Sequence, residues 1–257
     1  MTLREKVLAK QNICGTHITM TDPSIAEMMG YIGFDFIWID LEHAYISFEQ
    51  LYSMINCAKA AGTATIVRVP QHDFTYTKKV MEMGVDGIIF PMIKNAADAE
   101  EMIKYTLYPP LGNRGYGPKR AVRYGLDDDP EYIKNGYAKT CRFIQIEQES
   151  AVDDLENIVK NNPYIDGYIF GLMDLSGSIG ELGNCLGENN LKLVKRTIEV
   201  MNKYNKTIGI SMTPNDEELM RTYFDMGINM ISSGADFDHI VKGAKTTFEN
   251  AKKVFSK

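Results

Sequence analysis

Apolar residues along this chain fall into short continuous runs, separated by longer stretches in which they recur at a helical spacing. The runs are Ile13–Ile18, Phe34–Ile39, Thr65–Val69, Gly87–Phe90, Arg142–Ile146, Gly167–Phe170, Thr207–Ile210 and Ile228–Ile231. Most lack polar alternation, which predicts parallel strands covered on both faces. Between them the spacing changes to i, i+3, i+4, i+7, as in Ile25, Met28, Met29 and Ile32, with Pro23 at the first helical position. Ser47-Phe-Glu-Gln50 reads as a capping box ahead of the face Leu51, Met54, Ile55 and Ala58, and Gly62 suits the residue that ends that helix. Gly84 and Gly227 stop two more helices in the same way. Further faces are Ala99/Met102/Ile103, Leu155/Ile158/Val159, Leu191/Val194/Ile198 and Leu219/Met220/Tyr223/Phe224, and a last helix is expected near Phe237–Phe255.

Eight strand–helix units in 257 residues predict an α/β protein of the (β/α)8 TIM-barrel type, one domain spanning residues 1–257. A doubly wound open sheet would share the alternation, but no glycine-rich dinucleotide fingerprint follows the first strand. One segment breaks the rhythm: Tyr108-Pro-Pro-Leu-Gly-Asn-Arg-Gly-Tyr-Gly117, followed by a basic stretch to Arg123. A loop of this length in a compact domain marks a functional or interface segment. Its helix-to-strand position places it, with Arg114, at the barrel bottom, as interface structure unless a partner's mouth lies there.

The composition is that of an ordinary globular chain, 44% hydrophobic and 24% charged. A net charge of −6 argues against nucleic acid or an anionic membrane as the main partner. Cys14, Cys57, Cys141 and Cys185 are scattered without a Cys-x-x-Cys pair, as in a reduced cytoplasmic protein. The opening Met1-Thr-Leu-Arg-Glu-Lys6 is too polar for a signal peptide, and no apolar run approaches the roughly 20 residues of a membrane helix.

In barrels of this kind chemistry sits at the C-terminal strand ends. The second strand ends in Asp40-Leu-Glu42-His43, three ionisable groups suited to acid–base or metal work, or equally to a turn cap, a solvated carboxylate and a helix cap. The third ends in Ile66-Val-Arg68-Val-Pro70. The planar fork of Arg68 suits a carboxylate, whether a substrate's or that of Asp40 or Glu42 in an internal ion pair. His72 and Asp73 read as solvated loop residues. Gln145 and Glu147, two apart at the end of the fifth strand, share a face. Gly171-Leu-Met-Asp174-Leu-Ser176 follows the sixth, where Asp174 suits a ligand or a cap. Carboxylates on neighbouring tips, Glu147 and Asp174, can hold one divalent cation and leave positions open for substrate. Ser232-Ser-Gly-Ala235 ahead of the last helix looks like half of a barrel phosphate site, but Ser211-Met-Thr-Pro214 lacks the matching glycines.

Taken in order, Gly33-Phe-Asp35, Ile39-Asp-Leu-Glu-His-Ala44, Val67-Arg-Val-Pro70, Tyr108–Gly117, Gln145-Ile-Glu147 and Gly171–Ser176 resemble the metal-dependent pyruvate aldolases of the HpcH/HpaI type. The resemblance implies a (β/α)8 barrel whose last helix is exchanged between subunits of a hexamer. It implies reversible cleavage of a 4-hydroxy-2-oxo acid to pyruvate and an aldehyde. Glu147 and Asp174 would bind Mg²⁺, with Mn²⁺ or Co²⁺ as other fits. Gln145 and the backbone near Met173 and Asp174 would contact the 2-oxo acid, Arg68 would stabilise the developing enolate, and His43 would act as base. Two positions depart from the pattern. Leu172 stands where the family often has Pro. Glu82 stands where the family has an Asp that raises the basicity of the His, yet it falls near a helix end on the far side of the barrel unless a neighbouring subunit supplies it. Rival readings on the same scaffold are a Schiff-base aldolase, for which only Lys94 lies near a strand end, a citrate-lyase-like acyl lyase, and a non-catalytic 2-oxo-acid-binding protein.

Overall fold

In the computed structural model, which describes residues 1–127, 129–212 and 216–256, the eight expected strands all form. The order is α1 (Leu3–Leu8), β1 (Ile13–Ile18), α2 (Pro23–Ile32), β2 (Phe36–Asp40), α3 (Phe48–Ala60), β3 (Ala64–Arg68), α4 (Phe74–Glu82) and β4 (Gly87–Phe90). Then follow α5 (Ala96–Lys104), α6 (Asp129–Asn135), β5 (Cys141–Ile146), α7 (Glu149–Asp153), α8 (Leu155–Asn161), β6 (Gly167–Phe170), α9 (Leu172–Ser178), α10 (Glu188–Lys203), β7 (Thr207–Met212), α11 (Glu217–Asp225), β8 (Met230–Ala235) and α12 (Asp236–Phe255). Each strand pairs in parallel with the next, and β1 closes on β8 to complete a barrel. No described helix is long and apolar enough to cross a membrane.

Alternation along each strand sorts the side chains into two cores. Ile37 and Ile39, Val67, Ile88 and Phe90, and Ile144 and Ile146 face outward, where they pack under the helices. Phe36 and Trp38, Ile66, Ile89, Cys141 and Phe143, Ile169 and Met230 fill the barrel interior. The interior is crowded enough that Gly15 is required: a Cβ there would lie 2.3 Å from the Phe36 ring. The same two-residue period carries each interior row upward from apolar to polar. Phe36 and Trp38 lead to Asp40, Ala64 and Ile66 to Arg68, and Cys141 and Phe143 to Gln145. The polar layer is thus built on a filled hydrocarbon floor.

Three features differ from the sequence reading. β2 starts at Phe36 because Asp35 is spent before the strand, its carboxylate accepting from the Cys14 amide and pairing with Lys6 at 2.6 Å. α1, which periodicity does not reveal, closes the barrel bottom by burying Leu3 and Val7 in the interior core. Ser232-Ser-Gly-Ala235 is strand rather than phosphate loop. At the start of α12, Asp238 accepts from the Ala235 amide and Asp236 from that of Phe237, so the end of this helix is already supplied with anions. Thr213 and Pro214, weighed with that site, lie outside the described residues.

The segment after α5 contains 3-10 turns at Arg120–Gly125 and Gly136–Lys139. In it the Arg114 guanidinium is buried, stacks 4.6 Å from the Tyr108 ring centroid and donates to Glu82 Oε1 at 2.9 Å. Along the 20 residues of α12 only Asp236 is buried, while Phe237, Ile240, Val241, Phe248 and Phe255 are exposed at helical spacing.

Candidate functional site

At the C-terminal mouth of the barrel lies a cavity of about 590 Å³, bordered by His43, Arg68, Gln145, Gly171, Met173 and Asp174 among others. Arg68 stands at its centre. Its Nε and Nη2 donate to the two oxygens of Asp40 at 2.9 and 2.6 Å. Its Nη1 reaches Gln145 Oε1 at 3.2 Å and Glu42 Oε2 at 2.8 Å, and the guanidinium sits 5.3 Å above Trp38. The internal ion pair considered from the sequence therefore forms, and its arginine borders the cavity. Burial alone would raise the Asp40 carboxyl, but the hydrogen bonds and charge of Arg68 outweigh it and hold the group below the usual range. Asp40 Oδ1 also accepts from the Glu42 amide at 2.9 Å and so fixes the turn that carries Glu42 and His43.

Glu147 is 1% exposed and held from two sides. Oε1 accepts from the Met92 amide and Oε2 from Gln145 Nε2 at 2.7 Å. Met92 takes φ of +56°, a left-handed conformation that an L residue seldom adopts; it follows Pro91 at the end of β4. Gln145 joins Glu147 to Arg68, so carboxylate, amide and guanidinium form one line across the mouth. Burial pushes the Glu147 carboxyl up to about 7; the Met92 amide opposes this, and Glu42 and Asp174 add to it. Burial likewise raises Glu42, against the pull of Arg68.

Asp174 lies in the first turn of α9, whose N-cap is Gly171, and is exposed to the cavity. It caps nothing, and its carboxylate takes no hydrogen bond among the described residues. Gly171 is dictated by proximity: a Cβ there would lie 2.4 Å from Glu147 Oε2 and 3.0 Å from Gln145 Nε2. Leu172, where a Pro was the family expectation, opens α9 with its side chain buried in the outer core.

These residues fit a divalent cation. A carboxylate raised by burial and further by its carboxylate neighbours, an unpaired carboxylate beside it and one guanidinium among four acids leave an excess of negative charge that a hard cation would relieve. Among the described residues no group of three or more His, Cys, Asp or Glu is placed to hold a metal ion. Glu147 and Asp174 alone would leave positions for water and substrate.

His43 occupies the turn after β2, with Nε2 3.8 Å from Glu42 Oε2 and its side chain 66% exposed. Glu82 is not brought to it: Glu82 ends α4 at the opposite face of the barrel, paired with Arg114. Lys94 is exposed in the loop after β4, without the desolvation a Schiff-base lysine needs.

One group escaped the sequence reading. His17, near the end of β1, turns into the barrel, stacks on Trp38 with ring centroids 4.5 Å apart, and hydrogen-bonds Ser211 Oγ and Ser232 Oγ, both at 3.2 Å. Burial and the nearby Arg68 lower its pKa to about 4, so the imidazole is neutral and bridges the two hydroxyls. A histidine inside an apolar strand gives no hint of partners on β7 and β8, which only barrel closure supplies.

The chain is similar to several known proteins. The family model described as HpcH/HpaI aldolase/citrate lyase matches residues 14–243. A 4-hydroxy-2-oxovalerate aldolase of Novosphingobium aromaticivorans is 32% identical over 231 residues, covering 90% of this chain and 86% of that protein. A hydroxypyruvate/pyruvate aldolase of Roseobacter denitrificans is 26% identical over 247 residues, covering 95% and 94%. The crystal structure of an HpcH/HpaI aldolase/citrate lyase family protein from Burkholderia cenocepacia has the same fold, with a TM-score of 0.90 at 24% identity over 97% of this chain and 98% of that one.

Proposed function

The chain belongs to the HpcH/HpaI aldolase/citrate lyase family, and from that premise we propose that it is a divalent-cation-dependent carbon–carbon lyase. It would cleave and form 4-hydroxy-2-oxo acids, with pyruvate and an aldehyde as the smaller partners. The observation that carries this reading is the convergence of Asp174, Gln145 and Arg68 on one cavity at the strand C-termini, with Glu147 buried behind it and hydrogen-bonded to Gln145.

Glu147 and Asp174 hold the cation, Mg²⁺ by preference with Mn²⁺ or Co²⁺ able to replace it. When bound, that ion supplies Lewis-acid charge at the 2-oxo group. Arg68 presents a guanidinium already fixed by Asp40, Glu42 and Trp38, so its charge faces the oxygen on which negative charge develops without having to reorganise. Gln145, anchored between Arg68 and Glu147, offers its amide to the same acid. Met173 and Asp174 lie in the first turn of α9, where backbone N–H groups lack intrahelical acceptors and can bind the substrate carboxylate. His43, within the same cavity, takes the C4 hydroxyl proton as the C3–C4 bond breaks and returns it on synthesis.

We place the site in an assembly, a hexamer in which α12 is exchanged between subunits, a reading supported by the exposed apolar stripe of that helix. The opposite placement of Glu82 and His43 within one chain supports a pairing between subunits if Glu82 assists the base. Four free cysteines support a reducing compartment, the cytoplasm.

The test is cleavage and condensation with pyruvate and a panel of aldehydes, with and without chelator, followed by borohydride trapping. Turnover that stops on chelation and returns with Mg²⁺ or Mn²⁺ is expected. A trapped pyruvate adduct together with chelator-resistant turnover would refute the cation reading in favour of a lysine.

A further inference from the structure

Beneath the polar layer at the barrel mouth, a belt of side chains crosses five strands. Ser211 on β7 and Ser232 on β8 hold the two ring nitrogens of His17 on β1, both at 3.2 Å. The imidazole lies against Trp38 on β2, with ring centroids 4.5 Å apart and planes inclined by 35°. The Arg68 guanidinium on β3 sits over the same indole, 5.3 Å from its centroid, within reach of a cation–π contact. His17 and Trp38 are partners in the β1–β2 ladder, and Asp40, two residues above Trp38, is the ladder partner of Arg68. All five groups belong to the strands of a single barrel.

The contacts on Arg68 divide by geometry. Asp40, Glu42 and Gln145 bind its nitrogens along the edge of the guanidinium and fix where the fork points. A planar group held along its edge can still tilt, and the face beneath it sets that tilt. That face is Trp38, and the face of Trp38 rests on His17. β8 is shaped to clamp the imidazole. In its ladder with β1, Gly15 is opposite Ser232 but His17 is opposite Ala235, and Gly234 takes φ of +68° in the extra step. A bulge at a barrel rim re-aims the side chains beside it, here Ser232 towards His17. Burial and the charge of Arg68 keep the imidazole neutral, so one ring nitrogen donates and the other accepts. The clamp therefore adds no second cation under Arg68.

We propose that His17 is a positioning residue: clamped by Ser211 and Ser232, it sets the inclination of Trp38 and through it the plane that Arg68 presents to the substrate. This rests on the aldolase reading above, with Arg68 facing the developing enolate, and adds a residue that acts on the reaction through another.

Trp38 is the single tryptophan of the chain, so its fluorescence reports the belt directly. Two variants divide the roles of His17: His17→Asn can keep a hydroxyl contact but offers no ring, and His17→Phe keeps a ring against Trp38 but neither hydroxyl contact. In the Mg²⁺-loaded full-length protein, excited beyond the tyrosine band, His17→Asn is expected to add a fast component to the anisotropy decay of the indole, and His17→Phe is expected to follow wild type. Exchange of the pyruvate methyl protons in D2O then reads Arg68 without an aldehyde. Per cation site, counted by Mn²⁺ titration, kcat for exchange should fall about tenfold in His17→Asn with KM for pyruvate unchanged, and should largely recover in His17→Phe. Added to Arg68→Lys, His17→Asn should cost less than about twofold more, because the group it positions is already gone. Losses that multiply, an unchanged kcat or indole decay in His17→Asn, or equal impairment of the two variants overturns the inference and leaves the aldolase reading standing. Absence of exchange in the wild type removes that reading and this inference with it.

Discussion

Replacing Gly171 with alanine should damage cation binding far more than it damages the fold. The backbone there has φ of −107° and ψ of 81°, angles open to any L residue, so the substitution carries no left-handed penalty. Its whole effect is steric. The new methyl would sit 2.4 Å from Glu147 Oε2, 3.0 Å from Glu147 Cβ and 3.0 Å from Gln145 Nε2. The end of Glu147 is the part able to give way, and moving it breaks its hydrogen bond to Gln145 and displaces a proposed cation ligand. The loss of one such bond costs about 1 kcal/mol, and residual overpacking brings the total to about 1–3 kcal/mol. Displacing a ligand or its support weakens a metal site by about 10–100-fold. Calorimetric titration with Mn²⁺, beside urea unfolding of the same cation-free protein, reads both effects. Unchanged Mn²⁺ affinity in Gly171→Ala would show that Glu147 is not a ligand in the position described.

Arg68→Ala leaves a buried Asp40 and a half-buried Glu42 without their counter-charge and should destabilise the protein by about 3–5 kcal/mol in urea melts. Arg68→Lys keeps the charge but not the fork, and steady-state turnover should fall by about 100-fold or more; a lysine variant with wild-type turnover would contradict the role given to Arg68. His17, unfolded near 6.5 and folded at about 4, binds fewer protons in the native state. Its contribution is therefore complete above about pH 6.5 and lost as pH falls towards 4, by about 3 kcal/mol at 1.36 kcal/mol per unit. Urea unfolding at pH 7 and 4.5 should show a smaller drop in His17→Asn than in wild type, and equal drops would remove His17 as the cause. Because a cation that binds only the folded protein stabilises it by mass action, removing Mg²⁺ with chelator should lower the melting temperature and its return should raise it. A midpoint indifferent to millimolar Mg²⁺ and Mn²⁺ would argue against the two-carboxylate site, whatever the activity data show.

The parts legible in the sequence are those whose signal is local. β1, β4 and β6 match their apolar runs because each run ends where the strand does. Arg68, Gln145, Glu147 and Asp174 stood out by their places at the ends of buried runs, although an ion pair for Arg68 and a cap for Asp174 remained open until the fold brought the four together. β8 extends four residues past its apolar run because Ser232 and Ser233 are polar yet lie against β1 and β7. The 3.6-residue period has too little length to register in α1, whose buried pair is Leu3 and Val7. The left-handed turn at Met92, which aims an amide at Glu147, leaves no mark when the residue is not glycine. His17 needed strands 194 and 215 residues away to acquire its hydroxyl partners, and no window along the chain contains that information.

If another copy of the chain covers the bare stripe of α12, as proposed above, stability becomes a property of concentration. A helix that buries one side chain of twenty draws almost nothing from its own barrel, so whatever covers Phe237, Ile240, Val241, Phe248 and Phe255 contributes to folding as a second reactant does. Where that cover is another copy of the chain, unfolding is no longer unimolecular. Each tenfold dilution then withdraws about 1.4 kcal/mol per association step, and a melting temperature carries meaning only beside the protomer concentration at which it was taken.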